Sequence, residues 1–246
     1  MNEEQLKILK DKLDYLGLTT ITARYDELSR EAAKKGLGND DFFSEVIAAE
    51  CSARRERSAR RRIHHAHFPA VKTFADFDWS AGITLKREIV QHLMTLQFMQ
   101  THRNVVFLGP PGTGKTHLAT AIGYEACQKC HDVRFDTAMG MINTLKKAQL
   151  DGTLIRKMKL YTSPELLILD ELGYIPIDHD GASLLFQMLA LRYEQASTII
   201  TSNLSYNAWP ALFGNDSAMT SALLDRLLHN GDTILIDGKS FRTERI

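Results

Sequence analysis

One octapeptide, GPPGTGKT at residues 109–116, constrains the fold of this chain more than any other feature. The apolar run VVFLG leads into it, and the helical run THLATAIGYEAC leads out of it. Its glycines let backbone N–H groups close around phosphates, Lys115 adds a positive charge, and the Thr116 hydroxyl can reach Mg²⁺. Strand, loop and helix together predict a phosphate-binding loop at the end of a buried strand.

A second motif, LLILDE at residues 166–171, complements this loop. Its four apolar residues predict a central strand, with Asp170 at the carboxyl edge, where open α/β sheets bind ligands. An aspartate there would hold the Mg²⁺ shell, and Glu171 is suited to polarise a water molecule for attack on the γ-phosphate. The two motifs together predict hydrolysis of ATP or GTP.

The run TIITSNLS provides a further strand that ends in polar residues. A polar side chain at this strand end would lie beside the γ-phosphate and position the attacking water, and Asn203 is the candidate. A simple strand-end turn is the alternative, because Asn and Ser favour turns.

Beyond residue 100 the chain alternates between short apolar runs and helical patterns. The strand candidates are NVVFLG, DVRFD, LLILD, TIITS and TILID, nearly all apolar, as strands buried on both faces must be. This alternation predicts an α/β fold, a parallel sheet flanked by helices, over residues 68–246. Helical stripes before it, with an apolar stripe at residues 6–16 and a second helix in DDFFSEVIAAECSARRERSARRR, predict a small all-α N-terminal domain over residues 1–67.

The composition of the chain argues against several classes of protein. No apolar run approaches the roughly 18 residues of a membrane span, and the N-terminus lacks the apolar core of a signal peptide, so we expect a cytoplasmic protein with no membrane partner. The chain has three cysteines, and the CQKC pair has no second pair at metal-ligand spacing. Buried or half-buried thiols are the better interpretation.

The net charge of zero conceals a strong local asymmetry. Residues 1–50 carry seven Lys/Arg and eleven Asp/Glu, whereas residues 51–72 carry seven Lys/Arg and one acid. Six arginines lie in the nine residues RRERSARRR, 54–62, which we call the arginine run. They predict contacts to the phosphates of double-stranded DNA, largely without sequence preference, and a solvated or acid-paired helix is the alternative. The candidates are Arg54, Arg55, Arg57, Arg60, Arg61 and Arg62.

The order of motifs along the chain resembles that of the AAA+ ATPases: the phosphate-binding loop, then LILDE, TSN and a late DR. More closely, the chain resembles the IstB/DnaC-like branch, and within it the IstB-type transposition helper ATPases of insertion sequences. DELGY followed by FQ…RYE, TSN and LLDRLLH is more specific than the loop, which many families share. The resemblance covers almost the whole chain.

The resemblance implies a ring or spiral homo-oligomer that binds ATP and Mg²⁺ at subunit boundaries. Arg226 matches an arginine that acts in trans on the neighbour's nucleotide, although a solvated helix face is the alternative. Arg242 matches an arginine that contacts nucleotide within the same subunit, and no helical lid is expected after it. The predicted catalytic residues are Glu171, Asn203 and Arg226, the Mg²⁺ ligands are Thr116 and Asp170, and the nucleotide-binding residues are Gly109, Pro110, Pro111, Gly112, Thr113, Gly114, Lys115, Thr116, His117 and Arg242.

The segment between DVRFD and LLILD is long and basic. Related replication initiators insert an extra helix here that faces the pore of the ring and touches DNA, which makes Lys146 and Lys147 DNA-binding candidates. A solvated helix face is the alternative. Further basic residues of this segment are Arg156, Lys157 and Lys159.

The leading functional hypothesis is an ATP-driven DNA-binding assembly that marks target DNA and engages a transposase. The alternative is a loader of a replicative helicase built on the same ATPase core. A small-molecule kinase would need an acceptor pocket and a lid, which makes this class a poor fit to the motifs.

Overall fold

The computed structural model describes residues 2–79, 83–238 and 240. The chain forms two compact units, one ending at Arg60 and the other beginning at Arg61. The change of unit therefore falls within the arginine run, seven residues before the boundary expected from the sequence. The functional division at residue 67 stays a prediction.

The N-terminal unit is helical. It contains α1 (Glu3–Tyr15), α2 (Thr19–Lys35) and the first part of α3 (Asn39–Ala66). Its small apolar core is centred on Ile21, Leu28 and Val46. The sequence pattern predicted α1 and α3, but α2 was not predicted.

The larger unit alternates strands and helices, as the sequence predicted. Its elements are α4 (Arg87–Met94), α5 (Gln97–Gln100), β1 (Asn104–Leu108), α6 (Lys115–Gln128), β2 (Val133–Thr137), α7 (Ala138–Leu150), α8 (Leu154–Thr162), β3 (Leu166–Leu172), α9 (His179–Arg192), β4 (Ser197–Ser202), α10 (Trp209–Leu212), α11 (Ser217–Leu228) and β5 (Gly231–Leu235).

All strand pairs of the sheet are parallel, in the order β2-β3-β4-β1-β5. Apolar clusters cover both faces, which is why β1 and β4 are buried along their whole length. The expectation of an apolar strand is wrong for β5, where only Ile234 is buried. As an edge strand, β5 can leave its other side chains in water.

The segment that follows α3 leads into the larger unit's α4. Residues 67–79 form neither helix nor strand. Phe77 is nevertheless buried in the apolar cluster of the larger unit, with Phe68 and Phe74 packed against the same cluster. In the described part of the chain, no helix is both long enough and apolar enough to cross a membrane.

Candidate nucleotide site

The loop between β1 and α6 has the backbone geometry that phosphate binding requires. Gly114 is the N-cap of α6 and adopts a left-handed conformation with φ of 88°. Gly109 lies so close to the backbone after β5 that a Cβ atom there would be 1.9 Å from the carbonyl oxygen of Ile236. Side chains larger than hydrogen are excluded at Gly109 by packing alone. The free N–H groups of the first turn of α6 face the loop, which favours anions.

Lys115, the first residue of α6, is held inside this loop. Its ammonium group donates to the carbonyl oxygens of Gly109 and Pro110, both at 2.6 Å, and the side chain is buried. The Thr113 hydroxyl also donates to the carbonyl oxygen of Pro110, at 2.9 Å. The loop therefore carries one fixed positive charge among its backbone groups.

The first turn of α6 and the ends of β3 and β4 bring further polar groups to the loop. The Thr116 hydroxyl, in the first turn of α6, donates to the Asp170 carboxylate at 2.9 and 3.0 Å. Asp170 also accepts from the Thr201 hydroxyl of β4 at 2.5 Å. The backbone N–H of Glu171 donates to the same Thr201 hydroxyl at 3.0 Å. The Thr116–Asp170 pair places two oxygen ligands together, the type that Mg²⁺ prefers.

Glu171 differs from its neighbour in exposure and backbone. Asp170 is buried, whereas Glu171 is exposed and has a positive φ of 61°. Left-handed backbone is uncommon for a residue with a side chain, and the Thr201 hydrogen bond helps to fix it here. The Glu171 side chain is therefore accessible to solvent next to the buried Asp170.

A cavity of about 510 Å³ opens beside these groups. Its wall includes Glu171 and His117, whose roles at the site stay predictions. The His117 ring lies 5.2 Å from the Phe77 ring and shares a 2.9 Å hydrogen bond with the carbonyl oxygen of Thr73. Sequence analysis did not single out several lining residues, which lie before β1 or after β3. These are Lys72, Asp76, Phe77, Asp78 and Tyr174.

Asp76 is fixed as a carboxylate at this wall. The Thr73 hydroxyl donates to it at 2.7 Å and the Thr73 N–H at 3.1 Å. These two hydrogen bonds hold the pKa of Asp76 below its ordinary value.

Asn203 follows β4 directly but is not among the residues that line the cavity. Its side-chain oxygen is buried and has no hydrogen-bond partner among the described residues. Thr201, two residues earlier, makes the contacts to Asp170 and Glu171 instead. Arg242 lies outside the described residues.

Arg226 lies on α11, and its surroundings differ from a solvated helix face. The residue is half-buried, and its guanidinium carbon lies 4.4 Å from the centre of the Phe186 ring. It also donates to the carbonyl oxygen of Ala222 at 3.1 Å. The alternative of a fully solvated helix face does not hold, because α11 packs against α9, which brings Phe186 under the arginine.

The arginine run does not present six equivalent charges. Arg54 and Arg57 bind the buried Glu50 at 2.9 and 3.2 Å, which agrees with the acid-paired alternative for these two residues. Arg60 pairs with Glu56 at 2.6 Å, and Arg62 with Asp132 at 3.0 Å. Arg55 and Arg61 are exposed, and no ion pair to either occurs in the described residues. Their DNA contacts stay a prediction.

The basic segment between β2 and β3 forms two helices, α7 and α8. Lys146 pairs with Asp178 at 2.5 Å, while Lys147 lies one residue further along α7. Arg156, Lys157 and Lys159 lie on α8.

The fold and the site together define the class: a P-loop ATPase of the AAA+ type. The chain belongs to the family of IstB-like ATP binding proteins, whose family model matches residues 11–245.

Sequence similarity to individual proteins supports this family assignment. The chain is 38% identical over 242 residues to an ATP-binding protein of insertion sequence IS21 from Pseudomonas aeruginosa, covering 98% of this chain and 89% of the relative. It is 36% identical over 227 residues to an ATP-binding protein of insertion sequence IS5376 from Geobacillus stearothermophilus, covering 92% and 90%. The crystal structure of the DnaC helicase loader superposes with a TM-score of 0.53 at 23% identity, covering 61% of this chain and 86% of that one. This structural likeness shows the fold alone.

Proposed function

We propose that the chain is an ATP-driven DNA-binding helper of transposition. It hydrolyses ATP at the boundaries of a ring or spiral homo-oligomer, and the ATP-bound assembly holds double-stranded DNA and recruits a transposase. The observation that carries the proposal is the Thr116–Asp170–Glu171 arrangement, in a chain similar over nearly its whole length to ATP-binding proteins of insertion sequences.

Each group of the site has a distinct task in this proposal. The N-terminus of α6 and the ammonium group of Lys115 would bind the phosphates. Thr116 and Asp170 would supply protein oxygens to Mg²⁺, which stabilises negative charge on the phosphates when bound. Glu171, exposed beside them, would accept a proton from the attacking water. Asn203, or Thr201 in its place, would orient that water.

The first experiment separates nucleotide binding from turnover and links both to the partners. DNA, a candidate transposase and a replicative helicase are each presented to the wild type, Lys115→Ala and Glu171→Gln, with ATP. We expect Lys115→Ala to lose ATP binding and both partners, because the phosphates lose their charge partner. Glu171→Gln should bind ATP normally, hydrolyse it about 10²–10⁴-fold more slowly and retain both partners.

The outcomes of this experiment discriminate between functions. Retention of DNA and transposase by Glu171→Gln supports the proposal. Retention of a replicative helicase, with no transposase, would replace it by the loader function. Equal loss of ATP affinity in the two variants would contradict the separate roles of Lys115 and Glu171.

The second experiment tests the role of Arg226 between subunits. The Phe186 ring and the Ala222 carbonyl orient the half-buried guanidinium, and its remaining N–H groups can serve a neighbour's phosphates. Arg226→Ala should bind ATP normally and hydrolyse it about 10³-fold more slowly. Mixed with Glu171→Gln, it should recover part of the activity, because some boundaries then contain both intact groups.

A matched control distinguishes this role from a structural one. Phe186→Leu removes the aromatic face while keeping the arginine, so it should retain most of the turnover. A mixture of Arg226→Ala and Glu171→Gln that co-assembles yet stays as inactive as either variant would contradict action in trans.

A further inference from the structure

A second cleft, of about 610 Å³, lies within the larger unit. Its walls come from the end of α3, the start of β2 and the end of α8. We call it the amino-edge cleft, because β2 and β3 begin there. The charged and titratable residues that line it are Arg61, Arg62, His65, Asp132, Arg134 and Lys159.

Positive charge prevails in this cleft. Four of these side chains are Arg or Lys, against one carboxylate, Asp132, which pairs with Arg62 at 3.0 Å. Arg61 and Lys159 are exposed, and neither has an acidic partner among the described residues. At least two cations therefore face solvent without a local counter-charge.

Arg134 extends the positive surface into the wall of the cleft. Its guanidinium lies over the Tyr161 ring at 5.7 Å, and the only acid near it is Asp136, at a long 3.7 Å, in the described part of the chain. The buried Nε of Arg134 has no hydrogen-bond partner among the described residues. The nearby His67 responds to this charge: burial first, and then Arg134, His64 and His65, lower the pKa of its imidazole.

The cleft is separate from the nucleotide site. The strands are parallel, and the loop, Asp170 and Thr201 all lie at their carboxyl ends. The cleft lies at the amino ends of the strands, beside the edge strand β2. The five residues of β2 span roughly 16 Å, which separates the cleft from the carboxyl edge of the sheet. ATP bound by the loop is therefore not the anion that this cleft attracts.

We propose that the amino-edge cleft binds the phosphate backbone of duplex DNA, through Arg61 and Arg134 on one side and Lys159 on the other. A cleft much larger than a single phosphate, with cations from three chain segments, suits a polyanion whose charges recur along its length. The end of the arginine run and α8, which are far apart in the sequence, line one cleft here. The inference rests on the proposed function, since DNA is the ligand.

The experiment uses the full chain and a labelled random-sequence duplex, with a non-hydrolysable ATP analogue present throughout. DNA affinity is measured across a salt series for the wild type and for Arg61→Gln combined with Lys159→Gln. We expect log affinity to fall with log salt less steeply in the double variant, by about one to two, because each phosphate contact contributes about 0.9 to the slope. Both side chains are exposed, so folding and DNA-independent ATP hydrolysis should be unchanged.

The matched control removes two exposed charges elsewhere, Lys34→Gln combined with Lys86→Gln, and should keep the wild-type slope. An equal decrease of the salt-dependence slope in both double variants would overturn the cleft proposal, because the loss of net charge alone would then explain the effect. An unchanged slope in the cleft variant, with DNA still bound by the wild type, would overturn the cleft and leave the proposed function standing. A wild type that binds no DNA would overturn both.

Discussion

Glu50 in the N-terminal unit and Arg192 in the larger unit are both charged and both 2% exposed, yet their surroundings stabilise the two charges differently. Glu50 has ionic partners, since Arg54 and Arg57 bind its carboxylate. Arg192 is surrounded by neutral acceptors. Its guanidinium donates to the carbonyl oxygens of Tyr161 at 2.9 Å and Pro164 at 2.8 Å, to that of Ser197, and to the Thr198 hydroxyl at 3.0 Å.

Glu50 replaces a cap that α2 lacks. Leu18 stands at the N-cap and its side chain makes no capping hydrogen bond. The Glu50 carboxylate accepts instead from the backbone N–H groups of Thr20 at 2.9 Å and Ile21 at 3.1 Å. A negative charge at a helix N-terminus is favourable, so one side chain of α3 fixes the start of α2.

Arg192 plays the corresponding part at the other end of a helix. The carbonyl oxygens of Tyr161 and Pro164 lie at and just after the end of α8, and a cation is favourable there. Burial lowers the pKa of Arg192 to about 10, and the side chain keeps its charge at neutral pH. It joins α8, α9 and the start of β4, and so fixes one wall of the amino-edge cleft.

The difference shows what each unit depends on. The larger unit has extensive apolar clusters on both faces of its sheet. Arg192 fixes the positions of neighbouring elements around a core that these clusters already stabilise. The N-terminal unit has a core of a few residues, so its stability depends much more on one carboxylate.

The largest expected effect is on the buried cation. Arg192→Met keeps the length of the side chain but leaves several buried carbonyl groups without donors, which should cost about 4 kcal/mol in the free energy of unfolding. Urea unfolding of the larger unit measures this cost. The adjacent, exposed Leu191→Met should change it by less than about 0.5 kcal/mol. A similar small change in Arg192→Met would show that water can satisfy these carbonyl groups.

Glu50→Ala comes second, at about 3 kcal/mol, because it removes the cap of α2 and the partner of two arginines. The loss should be confined to the N-terminal unit. We expect less helical circular dichroism and faster proteolysis before Arg60, with ATP affinity unchanged. The exposed Glu45→Ala, which removes only a surface pair with Lys35, serves as the control. Equal proteolysis in the two variants would contradict the dependence on Glu50.

The smallest expected effect is a difference between the wild type and Glu50→Gln in how helical content depends on pH. Burial, the largest influence, raises the pKa of Glu50, but hydrogen bonds from Arg54, Ile21 and Thr20 together hold it below its ordinary 4.5. Its stabilisation is therefore complete above pH 4.5 and is lost as pH falls through the lower, folded-state pKa. Glu50→Gln cannot ionise, so helical content of the N-terminal unit should fall less steeply with acid. Identical acid transitions in the wild type and Glu50→Gln would refute this assignment.

Much of the larger unit could be predicted because its signals are local. The five strand candidates, the glycines of the loop and the two carboxylates near the end of β3 are each signalled by residues close together in the chain. Parallel strands then bring Thr116, Asp170 and Glu171 to one edge. The wall at Asp76 and Phe77 depends on how a segment without helix or strand returns to the loop, which no periodic pattern encodes.

The misinterpretations share one cause, which is long-range packing. Helix α2 was missed because its start depends on Glu50, about thirty residues later. For Arg54 and Arg57 the sequence favoured phosphate contacts over acid pairing, because it does not show that Glu50 is buried beside them. Arg226 looked solvated because helical periodicity cannot show that Phe186 of another helix lies beneath it.

The strand order also has a consequence for synthesis. β1 pairs only with β4 and β5 within the described sheet, and roughly ninety residues separate the end of β1 from the start of β4. At about 5–20 residues per second, this apolar strand waits about 5–20 s for its first partner, whereas β2 and β3 can pair earlier. A nascent chain stopped before residue 197 would carry the whole phosphate loop on an unpaired, aggregation-prone strand. The phosphate loop is thus synthesised early, whereas β4 and β5, the strands that pair with β1, are synthesised late.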